Sequence, residues 1–232
     1  MEDHFRKSFS SVDNIISYSY KTNYLKCIVQ YLNNRKVRSE LVSPFEVDLS
    51  RSYLVDADQI IYNGPLKDDA SLLYVLSGDG LVHADSLDDL IKISNVIEKS
   101  KLSKKRLKIG IRLSFDENDL KSRFGIDFNL DRFSQVLQIL KKLDVTFPYS
   151  FHFHYPSRDF TSFKKRIDKI ISLLKIVFNE YGKLPNYVDI GGGLPSNMPE
   201  SVVKSLQSND FLPLKIYGNY LDKSINSAGL PK

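Results

Sequence analysis

Short apolar runs alternate along the chain with longer segments whose apolar residues recur every three or four positions. The short runs are rich in β-branched and aromatic side chains, which favours strands. The three- or four-residue spacing of apolar residues in the longer segments is typical of amphipathic helices. Strands separated by helices imply βαβ units and a parallel sheet. Seven strands are predicted, at residues 15–20, 38–43, 60–64, 81–85, 108–114, 150–154 and 187–193.

The helix predicted at residues 160–181 has the most regular pattern. Its apolar residues recur at three- and four-residue spacing, and Gly182 follows as a typical C-terminal cap. The segment Ser86-Leu87-Asp88-Asp89 resembles a capping box with aspartate at its fourth position, which predicts that a helix begins there. Further helices are predicted at residues 130–143, 200–207 and 213–228.

A parallel sheet built from βαβ units is either doubly wound or closed into a barrel. The length of 232 residues is near the roughly 250 residues typical of a TIM-type (β/α) barrel, and we therefore expect that α/β fold. Seven of its eight strands are found, and the last residues, Gly229 to Lys232, are typical of a loop leading to an eighth. We expect one barrel domain over residues 1–232 that stops before the eighth strand, with no second domain.

Composition narrows the class of protein. The hydrophobic content of 42% and charged content of 26% are ordinary for a globular domain, and the net charge of +5 is mild. The densest basic cluster, at residues 101–108 with Lys104, Lys105 and Arg106, is interpreted as a solvated loop, so nucleic acid and membranes are not expected partners. The charged residues after Met1 do not resemble a signal peptide, and no apolar run approaches the roughly 18 residues of a membrane span, so we expect a soluble, cytoplasmic protein.

Metal chemistry is not expected. Cys27 is the only cysteine, which excludes an intrachain disulfide and a cysteine-rich metal site, and we expect it to pack on the first helix. His152 and His154 share one face of the sixth strand, but they lack a carboxylate partner for a zinc site. His152 is interpreted as a core residue, whereas His154, nearer the strand end, could stack on a flat ring or move a proton.

The active site of a β/α barrel lies at the carboxyl ends of its strands. These ends collect the polar and glycine residues that could carry chemistry. In strand order they are Lys21; Glu40; Asn63 and Gly64; His83 and Asp85; Arg112; His152, His154 and Ser157; and Asp189 with Gly191, Gly192 and Gly193.

Two of these strand ends point to one kind of cofactor. Three consecutive glycines let backbone N–H groups approach an anion, and barrels often bind phosphate after the seventh strand, although a flexible turn would show the same residues. Lys21 alone could be a surface lysine. A lysine able to form a Schiff base, on the same rim as a phosphate cradle, is what a pyridoxal-phosphate enzyme requires.

Six segments resemble one family, in the family's own order. Tyr18-Ser19-Tyr20-Lys21-Thr22-Asn23 resembles the Tyr-x-x-Lys-x-Asn segment of the alanine-racemase-like, fold type III pyridoxal-phosphate decarboxylases, which include the diaminopimelate, ornithine and arginine decarboxylases. Residues 39–46 and 61–67 are similar to the family's second and third strands. Its Ser-Lys-Phe-Gly stretch resembles Ser122-Arg123-Phe124-Gly125-Ile126. Residues 151–157 are similar to its His-x-Gly-Ser strand, and residues 189–193 to its glycine loop.

The resemblance implies a role for each matching residue. Lys21 would form the Schiff base, His154 would stack on the cofactor ring, and Ser157 with the backbone of residues 191–193 would bind the phosphate. Arg112 falls where the family has a polar residue lining the cofactor site, and Glu40 where some members have an acid close to the lysine. The resemblance further implies an amino-acid substrate and a homodimer in a full-length form.

Some features of the family are not matched. Pro156 replaces the glycine of the His-x-Gly-Ser strand, and the family's Glu-Pro-Gly-Arg strand and second, β-rich domain would follow Lys232. We therefore expect the barrel domain of a decarboxylase (a carboxy-lyase) for diaminopimelate or a basic amino acid, inactive as this chain alone. A non-catalytic pyridoxal-phosphate carrier and an inactive truncated fragment are the alternatives.

Overall fold

A computed structural model describes residues 2–9, 14–103, 106–115, 122–155, 157–194, 199–205 and 210–231. Within it the chain divides into two compact units. The sheet unit comprises Ile15–Phe153 and Pro185–Asp189, and the helical unit comprises Met1–Asn14, His154–Leu184 and Ile190–Lys232. Of the features predicted above, Lys104, Lys105, Pro156 and residues 206–207 lie outside the described residues.

The sheet unit is built on parallel strands. Their bounds are β1 Ser17–Ser19, β2 Arg38–Leu41, β3 Ile60–Tyr62, β4 Leu81–Ala84, β5 Lys108–Ser114, β6 Ile126–Asp127, β7 Ser150–His152 and β8 Tyr187–Asp189. The order across the sheet is β1-β2-β3-β4-β5-β7-β8, and β6 pairs with β5 outside this path. All seven predicted strands are present, most of them shorter than predicted, and β6 was not predicted.

Helices alternate with these strands. In the sheet unit they are α2 Lys26–Asn34, α3 Pro44–Ser52, α4 Asp69–Ser77, α5 Leu87–Ser100 and α6 Leu130–Lys142, with a 3-10 turn at Ala57–Gln59. In the helical unit they are α1 Glu2–Ser8, α7 Phe160–Tyr181, α8 Glu200–Ser205 and α9 Leu214–Ser227. The predicted helices are confirmed within a residue or two at their described ends, and α1 is an addition. Parallel strands alternating with helices in this way form the sheet of a TIM-type (β/α) barrel.

The predicted start of α5 and its Ser86 cap are confirmed, although the Asp89 carboxylate reaches the residue before the cap. Ser86 Oγ accepts from the Asp89 N–H at 3.0 Å, and Asp89 Oδ2 accepts from the Asp85 N–H at 3.0 Å. At the start of α3, Ser43 Oγ likewise accepts from the Glu46 N–H, and Glu46 Oε2 accepts from the Val42 N–H. Such caps satisfy backbone donors that the first turn of a helix leaves unpaired, so they fix where each helix leaves its strand.

The two faces of the sheet differ in polarity. Side chains that neighbour one another in register share a face, and one face is apolar and fully buried. Tyr62 on this face reaches Ser71 of α4 at 3.1 Å, so it is the face that the helices cover. Its members include Leu41, Tyr62, Val82, Ile109 and Phe151. The opposite face carries Glu40, His83, Arg112, Ser150 and His152, which is unusual for a parallel sheet and marks the side where chemistry is expected.

The helical unit is held together around α9. The Tyr217 ring packs on Phe160 and Phe163 of α7, with ring centroids 5.1 and 4.9 Å apart. Gly218 lets α1 approach closely, because a Cβ at this position would lie 1.6 Å from the Ser8 carbonyl oxygen. The helices of this unit are therefore fixed to one another by aromatic packing and one close backbone contact.

Cys27 corrects one prediction. It is exposed on α2, so the expectation that it packs is wrong. The reason is the phase of the helix, since α2 begins at Lys26 and its buried residue is Val29, two positions beyond Cys27.

Candidate functional site

Lys21 follows β1 closely, separated from it only by Tyr20. The Tyr20 N–H donates to the Glu40 carbonyl at 3.1 Å, which continues the pairing with β2 up to the lysine. Lys21 Nζ lies 3.8 Å from Glu40 Oε1, and 44% of the lysine side chain is exposed against 11% of the glutamate side chain. The amine is therefore accessible to a ligand while a carboxylate stays beside it.

Glu40 begins a hydrogen-bonded row that crosses the polar face of the sheet. Asn63 Nδ2 donates to Glu40 Oε1 at 3.4 Å, His83 Nδ1 is 2.6 Å from Asn63 Oδ1, and His83 Nε2 is 3.0 Å from Ser150 Oγ. An amide oxygen only accepts, so Nδ1 carries the imidazole proton and the Ser150 hydroxyl donates to Nε2. We call this row of side chains, Glu40, Asn63, His83 and Ser150, the relay. In each of its hydrogen bonds the donor is the residue farther from Glu40.

The relay requires a neutral His83. Burial is the main cause that lowers the pKa of His83 from 6.5 to about 3, and the neighbouring charges of His152, Lys67 and Arg112 add to it while Asp189 opposes it. The ring is fully buried. Because the imidazole stays neutral through the physiological range, Nε2 remains available as an acceptor for Ser150.

Gly110 on β5 makes the room that His83 occupies. The two residues are partners in the parallel register of β4 and β5. A Cβ at position 110 would lie 2.4 Å from His83 Cδ2 and 2.7 Å from the Ser150 carbonyl oxygen. Only glycine therefore allows the imidazole to lie flat against this strand and reach Ser150 beyond it.

Arg112 lies on the same face, and its charge is matched by Asp85. Arg112 Nη1 donates to Asp85 Oδ1 at 2.9 Å, and both side chains are buried. The guanidinium carbon also lies 5.0 Å from the centroid of the Phe124 ring. Since both charges are removed from water as a pair, Arg112 is rigidly held; that it lines a cofactor site stays a prediction.

Lys67 is a second lysine that follows a strand, and its side chain is 0% exposed. Its Nζ donates to Asp89 Oδ2 at 2.6 Å and to the Gly64 carbonyl. Burial lowers the pKa of Lys67, and the attraction of Asp89 opposes the shift. An amine already held by a carboxylate and a carbonyl, and shielded from solvent, is not available to a ligand.

The remaining predicted residues lie together in the helical unit, as a set we call the glycine cradle: His154, Ser157, Gly191, Gly192 and Gly193. The Gly192 N–H donates to His154 Nδ1 at 3.4 Å. Gly191 and Gly193 have φ angles of 70° and 79°, and a Cβ on Gly193 would lie 2.4 Å from the Ser157 carbonyl oxygen, so the loop depends on glycine. The Ser157 hydroxyl oxygen is buried and has no hydrogen-bond partner among the residues that the structure describes.

The sequence missed three groups of polar residues. Ser150 completes the relay, Lys67 and Asp89 form a buried ion pair, and Arg166 of α7 donates from Nη1 to the Gly192 carbonyl at 3.2 Å. Arg166 did leave a signal, because it falls on the apolar stripe of α7, where a charged residue is unexpected. The partners of Ser150 and Lys67 are set by contacts between distant segments, which no local pattern reports.

The described residues contain neither a metal cluster nor a membrane-spanning helix. No group of three or more His, Cys, Asp or Glu side chains is placed there to hold a metal ion. No helix in those ranges is both long and apolar enough to cross a membrane.

Comparison with known sequences identifies relatives of one kind. The family model described as "Pyridoxal-dependent decarboxylase, pyridoxal binding domain" matches residues 2–211. The diaminopimelate decarboxylase of Aquifex aeolicus is 26% identical over 203 residues, which are 82% of this chain and 46% of that protein. The ornithine decarboxylase of Saccharomyces cerevisiae is 26% identical over 204 residues, 85% of this chain and 42% of that protein. The chain thus spans less than half the length of these relatives.

Solved structures show the same fold. Diaminopimelate decarboxylase from M. jannaschii superposes with a TM-score of 0.81 at 17% identity, covering 97% of this chain and 54% of that chain. Lysine/ornithine decarboxylase from Vibrio vulnificus, complexed with putrescine, superposes with a TM-score of 0.71 at 20% identity, covering 99% of this chain and 58% of that chain. The predicted TIM-type barrel is confirmed.

The family model spans most of the chain and names the cofactor that the strand ends predicted, pyridoxal phosphate. The predicted resemblance to the fold type III decarboxylases is likewise confirmed by relatives in both sequence and structure. The chain therefore belongs to the pyridoxal-dependent decarboxylases, as a pyridoxal-phosphate-binding domain of the diaminopimelate and ornithine decarboxylase type.

Proposed function

We propose that this chain is the cofactor-binding barrel of a decarboxylase for diaminopimelate or a basic amino acid, with Lys21 as its Schiff-base residue. The observation that carries the proposal is the accessible Lys21 amine 3.8 Å from Glu40 Oε1. An amine must lose its proton before it attacks an aldehyde, and a carboxylate this close can accept that proton. Lys67, the other lysine at a strand end, is buried and bonded to Asp89, so it does not compete.

The glycine cradle fits the phosphate group of the cofactor. A phosphate ester needs several donors at close range and no side chain in the way. The Ser157 hydroxyl has no other partner among the described residues, and the glycine loop presents its backbone without Cβ atoms. We assign phosphate binding to Ser157 and the backbone of Gly191, Gly192 and Gly193.

The other site residues act on the ring and on the amine. Bound pyridoxal phosphate supplies an electron sink that accepts the electron pair left when an amino acid loses its carboxylate as CO₂. Lys21 anchors the cofactor and Glu40 exchanges a proton with the lysine amine. His154 stacks on the ring, and Arg112 lines the cofactor site as part of its ion pair with Asp85.

The proposed substrate follows the named relatives. Those proteins are diaminopimelate, ornithine and lysine/ornithine decarboxylases, so an amino acid carrying a second amino group is the proposed substrate. A homodimer of the full-length protein belongs to the same proposal. A pyridoxal-phosphate carrier without turnover is the second candidate function, because the family model that matches the chain is that of a pyridoxal binding domain.

The lysine assignment is tested by trapping. Purified chain is mixed with pyridoxal phosphate, its absorbance is recorded, and the adduct is reduced with borohydride and located by peptide mapping. We expect a Schiff-base absorbance band and one dominant label at Lys21, both lost in Lys21→Ala and both kept in the control Lys67→Met. A dominant label at Lys67, or labels spread evenly over exposed lysines, would refute the assignment.

The substrate assignment is tested separately. Because this chain alone is expected to be inactive, the assay uses the full-length form: release of CO₂ from lysine, ornithine or diaminopimelate by the cofactor-loaded protein, lost in Lys21→Ala, supports the decarboxylase. Binding of pyridoxal phosphate at Lys21 without CO₂ release from any of the three favours the carrier.

A further inference from the structure

Arg166 is the largest fully buried side chain among the described residues, at 0% exposure. It lies on α7 between Phe163 and Ile170, which are both buried. Burying a guanidinium costs several kcal/mol of solvation in general, so a buried arginine is kept where its charge and donors have a use. The helix could have placed an apolar residue at this position of its stripe and does not.

The guanidinium contacts the glycine cradle. Nη1 donates to the Gly192 carbonyl at 3.2 Å and lies 3.3 Å from the point where a Gly193 Cβ would be. The Phe163 ring packs against the guanidinium, with its centroid 5.4 Å from the guanidinium carbon. Arg166 therefore touches the peptide between Gly192 and Gly193 while the aromatic ring limits its movement.

This contact fixes the direction of a backbone donor. The C=O and N–H of a trans peptide point in opposite directions. Because the Gly192 carbonyl points at Arg166, the Gly193 N–H points away from it. The Gly192 N–H is directed at His154 Nδ1, 3.4 Å away, so the two successive N–H groups of the loop have separate tasks.

We propose that Arg166 is a positioning residue of the phosphate site, which fixes the Gly192–Gly193 peptide and supplies a positive charge behind it for a phosphate monoester. This inference rests on the proposed function, since it concerns the same cradle. An arginine behind the loop matches the two negative charges of the ester at neutral pH, while the aimed N–H and the Ser157 hydroxyl make the direct contacts.

The ratio of two affinities tests this role. Pyridoxal phosphate and pyridoxal share the ring and the aldehyde and differ only in the phosphate, so the ratio of their Kd values isolates phosphate binding. We expect Arg166→Met to weaken pyridoxal phosphate binding roughly 10- to 100-fold, the effect of losing a charge-assisted contact, and to change pyridoxal binding less than about threefold. Inorganic phosphate should compete with pyridoxal phosphate in the unaltered protein and fail to compete in the variant.

Three further variants make the test robust to misfolding. Lys165→Met removes one positive charge from the exposed position directly before Arg166 on α7 and should leave the ratio of the two affinities unchanged. Arg166→Lys keeps the charge and should recover part of the preference for pyridoxal phosphate over pyridoxal. Arg166→Gln keeps a donor for the Gly192 carbonyl but not the charge. If Arg166→Met does not fold, as judged by circular dichroism and thermal melting, the lysine and glutamine variants decide the question.

The outcomes separate the two proposals. If the unaltered protein binds pyridoxal as tightly as pyridoxal phosphate, the phosphate site itself is wrong and the role of Arg166 with it. If the unaltered protein prefers the phosphate ester and all Arg166 variants keep its ratio, only the role of Arg166 is refuted. A parallel loss of both affinities would mean that Arg166 merely supports the fold, which also refutes the proposal.

Discussion

The relay in the sheet unit and the glycine cradle in the helical unit hold their polar groups in opposite ways. In the relay, side chains on neighbouring strands bond to one another, and Asn63, His83 and Ser150 are all buried. In the cradle, backbone groups of a loop provide the contacts, and the Ser157 hydroxyl has no partner among the described residues. One region is already satisfied internally, and the other has a donor still to be used.

The difference matches the two tasks that the proposed function assigns to these regions. Exchanging a proton with Lys21 requires a carboxylate in a fixed position, which strands in register provide. Binding a phosphate requires donors with no internal partner, which loops with glycine provide. Substitutions in the relay should therefore change stability first, whereas substitutions in the cradle should change cofactor affinity first.

Acid should give the largest effect, and it acts through the relay. The pKa of folded His83 is about 3, below its ordinary value of 6.5. Between pH 6.5 and about 3, His83 therefore binds a proton in the unfolded chain but not in the folded chain. The contribution of neutral His83 to the free energy of unfolding is therefore fully present above pH 6.5. It is lost as the pH falls towards 3, by about 1.4 kcal/mol per pH unit and up to about 5 kcal/mol in total.

Urea unfolding between pH 7.5 and 4.5 measures this loss. His83→Gln keeps a side chain that donates and accepts hydrogen bonds but does not titrate, so its free energy of unfolding should fall less steeply below pH 6.5. Equal slopes for the two proteins would show that His83 does not remain neutral in the folded state.

Gly110→Ala should give the next largest effect. The added Cβ would lie 2.4 Å from His83 Cδ2, so the ring or the strand must move, at a cost of about 3 kcal/mol in unfolding free energy. Ile109→Val alters the apolar face of the same strand and should cost about 1 kcal/mol. The imidazole ¹⁵N signals of His83 should shift in Gly110→Ala alone; if they stay in place, the relay tolerates the change and the packing argument fails.

The sequence predicted the strands of the sheet better than it predicted where they end. Runs of β-branched and aromatic residues located all seven predicted strands. Two of these strands were predicted too long: residues 150–154 and 187–193 were each predicted as one strand, whereas β7 ends at His152 and β8 ends at Asp189. Of the residues beyond these ends, His154, Gly191, Gly192 and Gly193 belong to the glycine cradle instead. The two-residue strand β6 is too short to show any period of two.

The site could be predicted as a set of residues and not as a set of contacts. Lys21, Glu40 and the glycine loop became candidates because each occupies a strand end in a recognisable segment, and their roles stay predictions. The bond between His83 and Ser150 joins residues 67 positions apart in the chain, and it depends on the register of β4, β5 and β7. Register is decided by tertiary packing, so no local pattern carries it.

Gly193→Ala tests the cradle against a matched glycine. Both Gly193 and Gly182 have positive φ angles, 79° and 64°, so alanine is strained at either position by about 1 kcal/mol. A Cβ at Gly182 meets nothing within 4 Å, whereas one at Gly193 would lie 2.4 Å from the Ser157 carbonyl oxygen. Gly193→Ala should therefore cost about 2 kcal/mol in stability and weaken pyridoxal phosphate binding at least about tenfold, while Gly182→Ala leaves binding intact. Equal binding by both variants would contradict the cradle assignment.

Two serine substitutions give the smallest effects and the sharpest contrast, because each removes one hydroxyl group. Ser150→Ala leaves buried His83 Nε2 without its donor, so it should lower the free energy of unfolding by about 1 to 2 kcal/mol. Ser157→Ala removes a hydroxyl with no partner among the described residues, so stability should hold within about 0.5 kcal/mol. Its affinity for pyridoxal phosphate should fall about five- to tenfold, with pyridoxal binding unchanged. If Ser157→Ala instead destabilises the protein and spares binding, the hydroxyl is structural, and the division of tasks between relay and cradle is wrong.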